Sequence, residues 1–159
     1  MADSSKESGF SVIEILISTA IISAIGTMIV LSFNLYVRMS ERNSNNIQAA
    51  LHLEEASEAL IFLRDSSWTD NIFPLSVGVE YYLYWDGSSY SISTEPLLQD
   101  EFQKTFVISE VNRDSSDSIS ESGEIDPNTF LVDIKISWEE RGGEESLGAQ
   151  MLIHNVYDN

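Results

Sequence analysis

The chain has 159 residues, with 26 acidic and 8 basic side chains and a formal net charge of −18 at pH 7. A surface this acidic repels phosphates, which argues against nucleic-acid binding. The absence of cysteine excludes disulfides, thiolate zinc sites and cysteine nucleophiles. The length allows one modest globular domain and one additional segment.

The additional segment is an apolar run of 23 residues without a charged side chain, from Ile15 to Val37. As a helix it is about 35 Å long, enough to cross the roughly 30 Å hydrocarbon core of a membrane. The run is longer than the apolar part of a secretory signal peptide, and no A-x-A-like cleavage site follows it. We therefore predict a membrane span. Arg38 and Arg42 follow the span and, counted alone, favour a cytoplasmic C-terminal side.

Glu14 is the one charged residue within the apolar block. A carboxylate in lipid costs on the order of 3 kcal/mol or more. Two interpretations are open: Glu14 lies near the helix end and reaches the interface, or a cation meets it.

The segment from Gly9 to Ile17, GFSVIEILI, resembles the cleavage and methylation signature of type IV prepilins and type II secretion pseudopilins. The resemblance implies that a membrane aspartyl peptidase cuts between Gly9 and Phe10 and methylates the new amino group of Phe10. It also implies that residues 1–9 are a leader peptide. The new amine of Phe10 in one subunit would then pair with Glu14 of a neighbour, which gives that carboxylate its cation.

The same resemblance implies partners and a location. The partners are other pilin-like subunits, the prepilin peptidase and an assembly platform in the inner membrane. The chain would be a single-pass membrane protein with its head outside the cytoplasm, and would become part of a surface filament or a periplasmic pseudopilus.

Gly26, with Ser23 and Thr27 nearby, is the weakest point of the predicted helix, because glycine costs about 1 kcal/mol relative to alanine there. Small residues permit close helix packing in membranes. The other interpretation is local unwinding during assembly. Many pilins carry a proline in this part of the helix, whereas this chain has no proline between Ile15 and Val37.

The helix is expected to continue beyond the span as one helix of about 55 residues, from Phe10 to Arg64. Apolar residues recur there at alternating spacings of four and three, which places them on one stripe: Ala49, Leu53, Ala56, Leu60 and Leu63. An amphipathic helix of this kind is expected to lie against a sheet.

Strand patterns follow the helix. Residues 80–85 and 88–93 flank Asp86-Gly87, which predicts a β-hairpin with a type I′ turn. Further strands are predicted at 102–111, 130–138 and 146–156, with a turn at 139–144. The predicted fold class is α+β, a long N-terminal helix packed on a small antiparallel sheet. The predicted domains are a leader (1–9), a transmembrane helix (10–37), its amphipathic continuation (38–65) and a β-sheet head (66–159).

Residues 114–126 are acidic, rich in serine and predicted to form a solvated loop. Their carboxylates are the ligand type that calcium uses, but the spacing does not match an EF-hand. His52 and His154 are too few for a metal site. We predict neither a metal nor a cofactor.

Aromatic residues in the predicted head are either a sugar- or protein-binding face or half core and half surface. They are Tyr81, Tyr82, Tyr84, Trp85, Tyr90 and Trp138. We find neither a G-x-S-x-G nucleophile motif nor a phosphate-binding loop, and predict that the chain is not an enzyme. The expected function is a pilin-like structural subunit. The alternatives are a tip or minor pilin that binds a ligand as an adhesin, and a membrane-anchored enzyme whose match to the signature is accidental.

Overall fold

The computed structural model describes residues 11–96, 101–120 and 122–156. Two helices, α1 and α2, precede five strands, β1 to β5. Their bounds are α1 Val12–Ser66, α2 Trp68–Asn71, β1 Glu80–Trp85, β2 Tyr90–Ser93, β3 Phe102–Arg113, β4 Glu124–Glu140 and β5 Gly143–His154. The predicted fold class is confirmed: a long N-terminal helix packs on a five-stranded antiparallel sheet.

Helix α1 is continuous over 55 residues, because no proline or cap interrupts it before Ser66. Its end is fixed by Asn71, whose side-chain amide donates to the carbonyl oxygen of Leu63 at 2.8 Å. Ser67 then starts the short helix α2 by accepting the backbone N–H of Asp70. Asn71 thus adds a side-chain hydrogen bond to a carbonyl oxygen that also accepts the backbone N–H of Ser67 at 3.2 Å.

Contacts divide the chain into two units, residues 1–43 and 44–159. In the described part of the first unit, residues 12–43 are helical, and all residues from 11 to 43 are exposed. The second unit contains the rest of α1 together with α2 and the sheet, and it is called the head below. The predicted ranges 10–37 and 38–65 divide the same helix by hydropathy and stay predictions.

The sheet has the strand order β2-β1-β3-β4-β5, with every neighbouring pair antiparallel. Strands β3 and β4 are the long central pair, in register from Phe102 opposite Trp138 to Glu110 opposite Phe130. A bulge between Glu110 and Val111 shifts the register, and pairing continues to Arg113.

The core of the head lies between α1 and one face of this sheet. The predicted helix stripe is confirmed, since four of its five members are buried and the fifth, Leu53, is half-buried against the core. Ala59, which the stripe did not include, is buried as well. The strands contribute branched and aromatic side chains, among them Phe106, Ile108, Val132, Ile136 and Ile153.

The first hairpin is confirmed, but its predicted type I′ turn is wrong. Trp85 pairs with Tyr90, so the loop has four residues, Asp86 to Ser89, and β2 begins two residues later than predicted. The Asp86 carboxylate closes this loop by accepting the backbone N–H groups of Ser89 and Ser88, each at 2.8 Å. These hydrogen bonds lower the pKa of Asp86 to about 2, because they favour its charged form.

The β4–β5 hairpin has the shorter connection. Glu140 pairs with Gly143, so only Arg141 and Gly142 lie between the strands, within the predicted turn. Gly143 has a φ of +128°, a conformation that residues with a side chain rarely adopt.

Candidate functional site

The N-terminal end of α1 carries the residues that the sequence singled out. Gly9 and Phe10, the predicted cleavage and methylation site, lie outside the described residues. Glu14 lies in the first turn of the helix and is exposed. Its carboxylate Oε2 accepts the backbone N–H of Ser11 at 3.1 Å. Within the described part of the chain, the other carboxylate oxygen of Glu14 accepts no hydrogen bond.

This contact is one half of a capping box, a feature that the sequence analysis missed. In a capping box a serine precedes the first helical residue and a glutamate follows three positions later. Ser11 and Glu14 have that spacing, and the pattern S-x-x-E was visible in the sequence. Glu14 therefore stabilises the start of α1 in addition to any role in assembly. A carboxylate at the N-terminal end of a helix also interacts favourably with the positive end of the helix dipole.

The apolar part of α1 is exposed on all sides. Every described residue up to Ser44 is exposed, including Leu16, Ile22 and Leu31, each at least 63 % accessible. By length and composition, α1 contains a stretch that can cross a membrane. The helix is continuous at Gly26, and a methyl group added there would meet nothing within 4 Å.

The polar side chains of this stretch are satisfied by the helix itself. Thr19 donates to the carbonyl oxygen of Ile15 at 2.9 Å, and Thr27 donates to that of Ser23 at 2.9 Å. The side-chain amide of Asn34 donates to the carbonyl oxygen of Val30 at 2.9 Å. Such local bonds suit a lipid environment, where no water is present to satisfy polar groups.

In the head, the side of α1 that faces away from the sheet carries exposed apolar residues. Ile47, Leu51 and Phe62 are 55–60 % accessible, and Ile61 is 37 % accessible. They lie on the opposite side of the helix from Ala49, Ala56 and Leu63, as the helical period of 3.6 residues requires. The apolar surface of α1 thus extends beyond the stretch that is long and apolar enough to cross a membrane.

The aromatic residues do not form a single face. Tyr81 and Trp138 are buried in the core, where their rings lie 5.6 and 5.7 Å from those of Phe106 and Phe102, respectively. The other four aromatic residues are exposed or half-buried: Tyr82, Tyr84, Trp85 and Tyr90. The division into core and surface is the second of the two interpretations drawn from the sequence.

A polar network crosses from α1 to the sheet around Glu55. This carboxylate accepts hydrogen bonds from the Tyr90 hydroxyl at 3.0 Å and from Lys104 Nζ at 3.1 Å. His52 Nδ1 lies 3.0 Å from its other oxygen. Burial alone would raise the pKa of Glu55, but the hydrogen bonds from His52, Lys104 and Tyr90 and the charge of Lys104 lower it overall. Burial and the hydrogen bond to Glu55 raise the pKa of Tyr90.

Part of the predicted acidic loop is strand instead. Residues 124–126 belong to β4 and pair with 111–113 of β3, so the solvated loop is shorter than predicted. Arg113 anchors the end of this ladder, because its Nε lies 2.7 Å from a carboxylate oxygen of Asp126. Asp126 also accepts the Thr129 hydroxyl at 2.6 Å. The hydrogen bonds from Thr129 and Arg113 lower the pKa of Asp126.

The remaining loop is organised by its first residue. Asp114 accepts the backbone N–H groups of Ser116 and Ser118 at 2.8 and 3.1 Å, and Asp117 has a φ of +64°. Among the residues that the structure describes, no group of three or more His, Asp or Glu side chains could hold a metal ion. His52 contacts Phe102 at one end of β3, and His154 pairs with Thr129 toward the other end of the sheet, so the two histidines are not brought together.

Comparison with known proteins adds nothing to these observations. No family model matches the sequence, and neither the curated proteins nor the solved structures include a significant match.

Proposed function

We propose that the chain is a type IV pilin-like structural subunit. In this proposal prepilin peptidase cuts between Gly9 and Phe10 and methylates Phe10, and the mature chain assembles into a type IV pilus or pseudopilus through its apolar helix. The observation that carries the proposal is the position of Glu14. It lies at the fifth place after the cut, in the first turn of a helix whose next 23 residues are uncharged and exposed.

Electrostatics supports this role for Glu14. A charge that leaves water must be paired or it is costly, and cutting after Gly9 creates a positive amine on Phe10. One oxygen of the Glu14 carboxylate is occupied by the N–H of Ser11. The other is open, among the described residues, to the Phe10 amine of a neighbouring subunit. Such a pair would also set the axial register between subunits.

The exposed surface of α1 supports assembly by lateral helix packing. Among the described residues, no other part of the chain covers the membrane-spanning stretch. Ile47, Leu51, Ile61 and Phe62 continue the apolar surface into the head, on the side away from the sheet. In a filament these residues would pack against helices of other pilin-like subunits. The prepilin peptidase and the inner-membrane assembly platform are the other proposed partners, and the head is proposed to lie outside the cytoplasm.

Processing is the direct test. The chain is produced in cells with and without a prepilin peptidase, extracted from membranes, and analysed by intact mass and N-terminal sequencing. We expect the mature protein to start at Phe10 with a methyl group on its amine when the peptidase is present, and at Met1 when it is absent.

The matched control is Gly9→Leu, which changes only the residue before the proposed cut. We expect this variant to keep its leader in the presence of the peptidase and still to enter the membrane fraction. If the unaltered chain still starts at Met1 in cells that contain an active peptidase, the proposed function is wrong.

A further inference from the structure

Strand β5 is the long edge of the sheet. It has 12 residues, Gly143–His154, and pairs with β4 in one unbroken register. At about 3.4 Å per residue, such a strand is about 40 Å long. The other edge, β2, has only four residues, and Pro96 follows three residues after its end. Among the described residues, no strand pairs with β5 on the side away from β4.

The backbone of β5 presents alternate hydrogen-bonding groups on that open side. Asn155, directly after β5, donates its backbone N–H to the carbonyl oxygen of Asn128 at 2.9 Å. Hydrogen-bonded and non-hydrogen-bonded pairs alternate along an antiparallel ladder. Counting back from Asn155, the odd-numbered residues of β5 bond to β4. The backbone N–H and C=O groups of the even-numbered residues in 144–154 therefore point away from the sheet.

This edge lacks the features that keep an edge strand from pairing with another chain. Such features include proline, lysine and β-bulges. Strand β5 contains no proline and no lysine, and no bulge interrupts its pairing with β4. Residues 146–153 carry no charge, although the head is strongly acidic. An open edge of this kind can accept an extended polypeptide as an additional strand.

The side of β5 that faces α1 offers a contact for the side chains of an added strand. Leu147 and Met151 are half-buried against the core, and Ala149, which lies between them on the same face, is exposed. Ile153 is buried on this face. The core thus covers the row incompletely. An added strand would place every second side chain beside the row and remove more of its apolar area from water.

The charge of the head selects the kind of strand. After residue 43 the chain has 22 acidic and five basic residues. Glu144 and Glu145 lie at the start of β5, and Lys135 Nζ lies 3.5 Å from a carboxylate oxygen of Glu144. A second copy of the chain would bring the same negative charge to the edge. A segment with arginine or lysine at its ends complements it.

We propose that β5 binds an extended segment of another protein, which pairs along residues 146–153 and carries basic side chains beside Glu144 and Glu145. The proposal goes beyond the filament function and does not depend on it, because every residue involved lies in the head. It assigns the head a protein-binding edge, whereas the sequence suggested an aromatic face.

The experiment uses the full chain in a neutral polyoxyethylene detergent, at about 0.15 M salt to screen distant charges. The probe is a fluorescently labelled peptide of alternating threonine and valine with an arginine at each end, RTVTVTVR. We expect its anisotropy to rise saturably with protein concentration, with a dissociation constant on the order of 0.1 mM. At saturation, hydrogen exchange measured by mass spectrometry should slow in Gly143–His154, because the outward N–H groups become bonded.

Two matched peptides separate backbone pairing from charge attraction. The first has the same sequence with an N-methyl group on one central valine and one adjacent threonine, which blocks a donor on each edge of the peptide and keeps its charge. The second, ETVTVTVE, keeps the alternation and reverses the charge. We expect each to bind about tenfold more weakly or worse than the basic peptide.

A pair of variants locates the binding at β5. Gln150→Pro removes a backbone N–H that points away from the sheet, a position at which an edge strand tolerates proline. Gln150→Ala is its matched control, because both variants lose the hydrogen bond from the Gln150 side chain to Asp133. We expect Gln150→Ala to bind the basic peptide like the parent chain and Gln150→Pro to bind it about tenfold more weakly. The methylated peptide tests the same backbone pairing on the parent chain, so the proposal stays testable if Gln150→Pro folds poorly.

Four results would overturn the proposal. Equal binding of the methylated and unmethylated basic peptides would leave only charge attraction. Equal binding of the acidic peptide would remove the basic partner. Unchanged exchange in Gly143–His154 at saturation, or equal binding by Gln150→Pro and Gln150→Ala, would place the peptide elsewhere. Exchange in β5 that slows with protein concentration, without any peptide, would assign the edge to a second copy of the chain. None of these results depends on whether the leader is removed.

Discussion

Glu14 combines two roles that a single substitution can separate. Glu14→Gln keeps a side-chain oxygen that accepts the N–H of Ser11 but removes the charge, whereas Glu14→Leu removes both. We expect both variants to insert into the membrane. We expect both to lose about tenfold or more of their incorporation into filaments, because the Phe10 amine of a neighbour would remain unpaired. The sheared-filament fraction, measured by immunoblot against the membrane fraction, gives the comparison.

The glutamine variant decides between the roles. If it assembles as well as the parent chain while the leucine variant does not, the carboxylate acts only as a helix cap. That result would remove the ion pair from the proposal and leave the processing of Gly9-Phe10 untouched.

Asp126 is expected to make the stability of the head depend on pH. Its pKa in the folded chain lies below the ordinary value of 3.8, because the Thr129 hydroxyl and Arg113 bind its charged form. The stabilisation is therefore complete above about pH 4 and is lost as the pH falls through the folded pKa. Asp126→Asn should lower the melting temperature by a few degrees at pH 7, and the difference from the parent chain should shrink on acidification.

Tryptophan fluorescence can follow this unfolding, because Trp68 stacks on Phe130 and Trp138 lies against Phe102. Other carboxylates with lowered pKa values, such as Asp86 and Asp114, are present in both the parent chain and the Asp126→Asn variant. Their effects on the melting temperature therefore cancel when the two are compared. A difference in melting temperature that stays constant from pH 7 to pH 3 would contradict the assignment.

At the residue scale, sequence reasoning identified groups whose partners are near in the chain. The signature identified Glu14, and the cap it forms with Ser11 was equally visible as S-x-x-E. The network of Glu55 could not be predicted in this way. Its partners Tyr90 and Lys104 lie 35 and 49 residues away, and only the packing of α1 on the sheet brings them together.

Helix α1 is one element with two surroundings, and its hydropathy pattern predicts both. The apolar run up to Val37 matches a membrane, and the apolar stripe from Ala49 to Leu63 matches a sheet. Ala59 was missed because a spacing of four and three selects a narrow line of residues, whereas a helix on a sheet buries a wider strip. Burial of Ala59 follows from this width.

The stripe predicts that two leucines of the same helix differ sharply in how much they contribute to the unfolding free energy. Leu60 is fully buried against the sheet, whereas Leu51 is 60 % exposed on the other side. Leu60→Ala leaves a cavity in the core and should cost about 3 kcal/mol of unfolding free energy. Leu51→Ala should change it by less than about 0.5 kcal/mol. Denaturant unfolding of the full chain in detergent, followed by tryptophan fluorescence, measures both, and equal losses would contradict the helix orientation.

The strands were predictable from alternation, but their ends were not. The strand predicted at 130–138 extends from Glu124 to Glu140, because the ladder with β3 continues past a bulge into the acidic segment. Composition made that segment look solvated, and the pairing that orders it comes from Val111 to Arg113 on another strand. Similarly, the Asp86 side chain rather than an Asp-Gly backbone turn decides where β2 begins.

Over the whole molecule, charge and apolar surface are separated along the chain. Of the 26 acidic residues, 22 follow residue 43, together with five of the eight basic ones. The apolar, fully exposed stretch precedes that point. The class of fold follows from this order of a helix and then strands. The strand order β2-β1-β3-β4-β5 does not, because alternation says which side of a strand is buried and not which strand lies beside it.

This separation of charged and apolar surface predicts that the head folds and stays soluble without the part of α1 that precedes Ser44. A chain starting at Ser44 keeps all of the contacts of the second unit, including the buried stripe of α1 and its partners in the sheet. Its strong net negative charge opposes self-association. We expect it to be monomeric without detergent in analytical ultracentrifugation, with the tryptophan emission of the full chain. Aggregation or a red-shifted emission of this shortened chain would mean that residues before Ser44 contribute to the stability of the head, and the two-unit description would then be wrong.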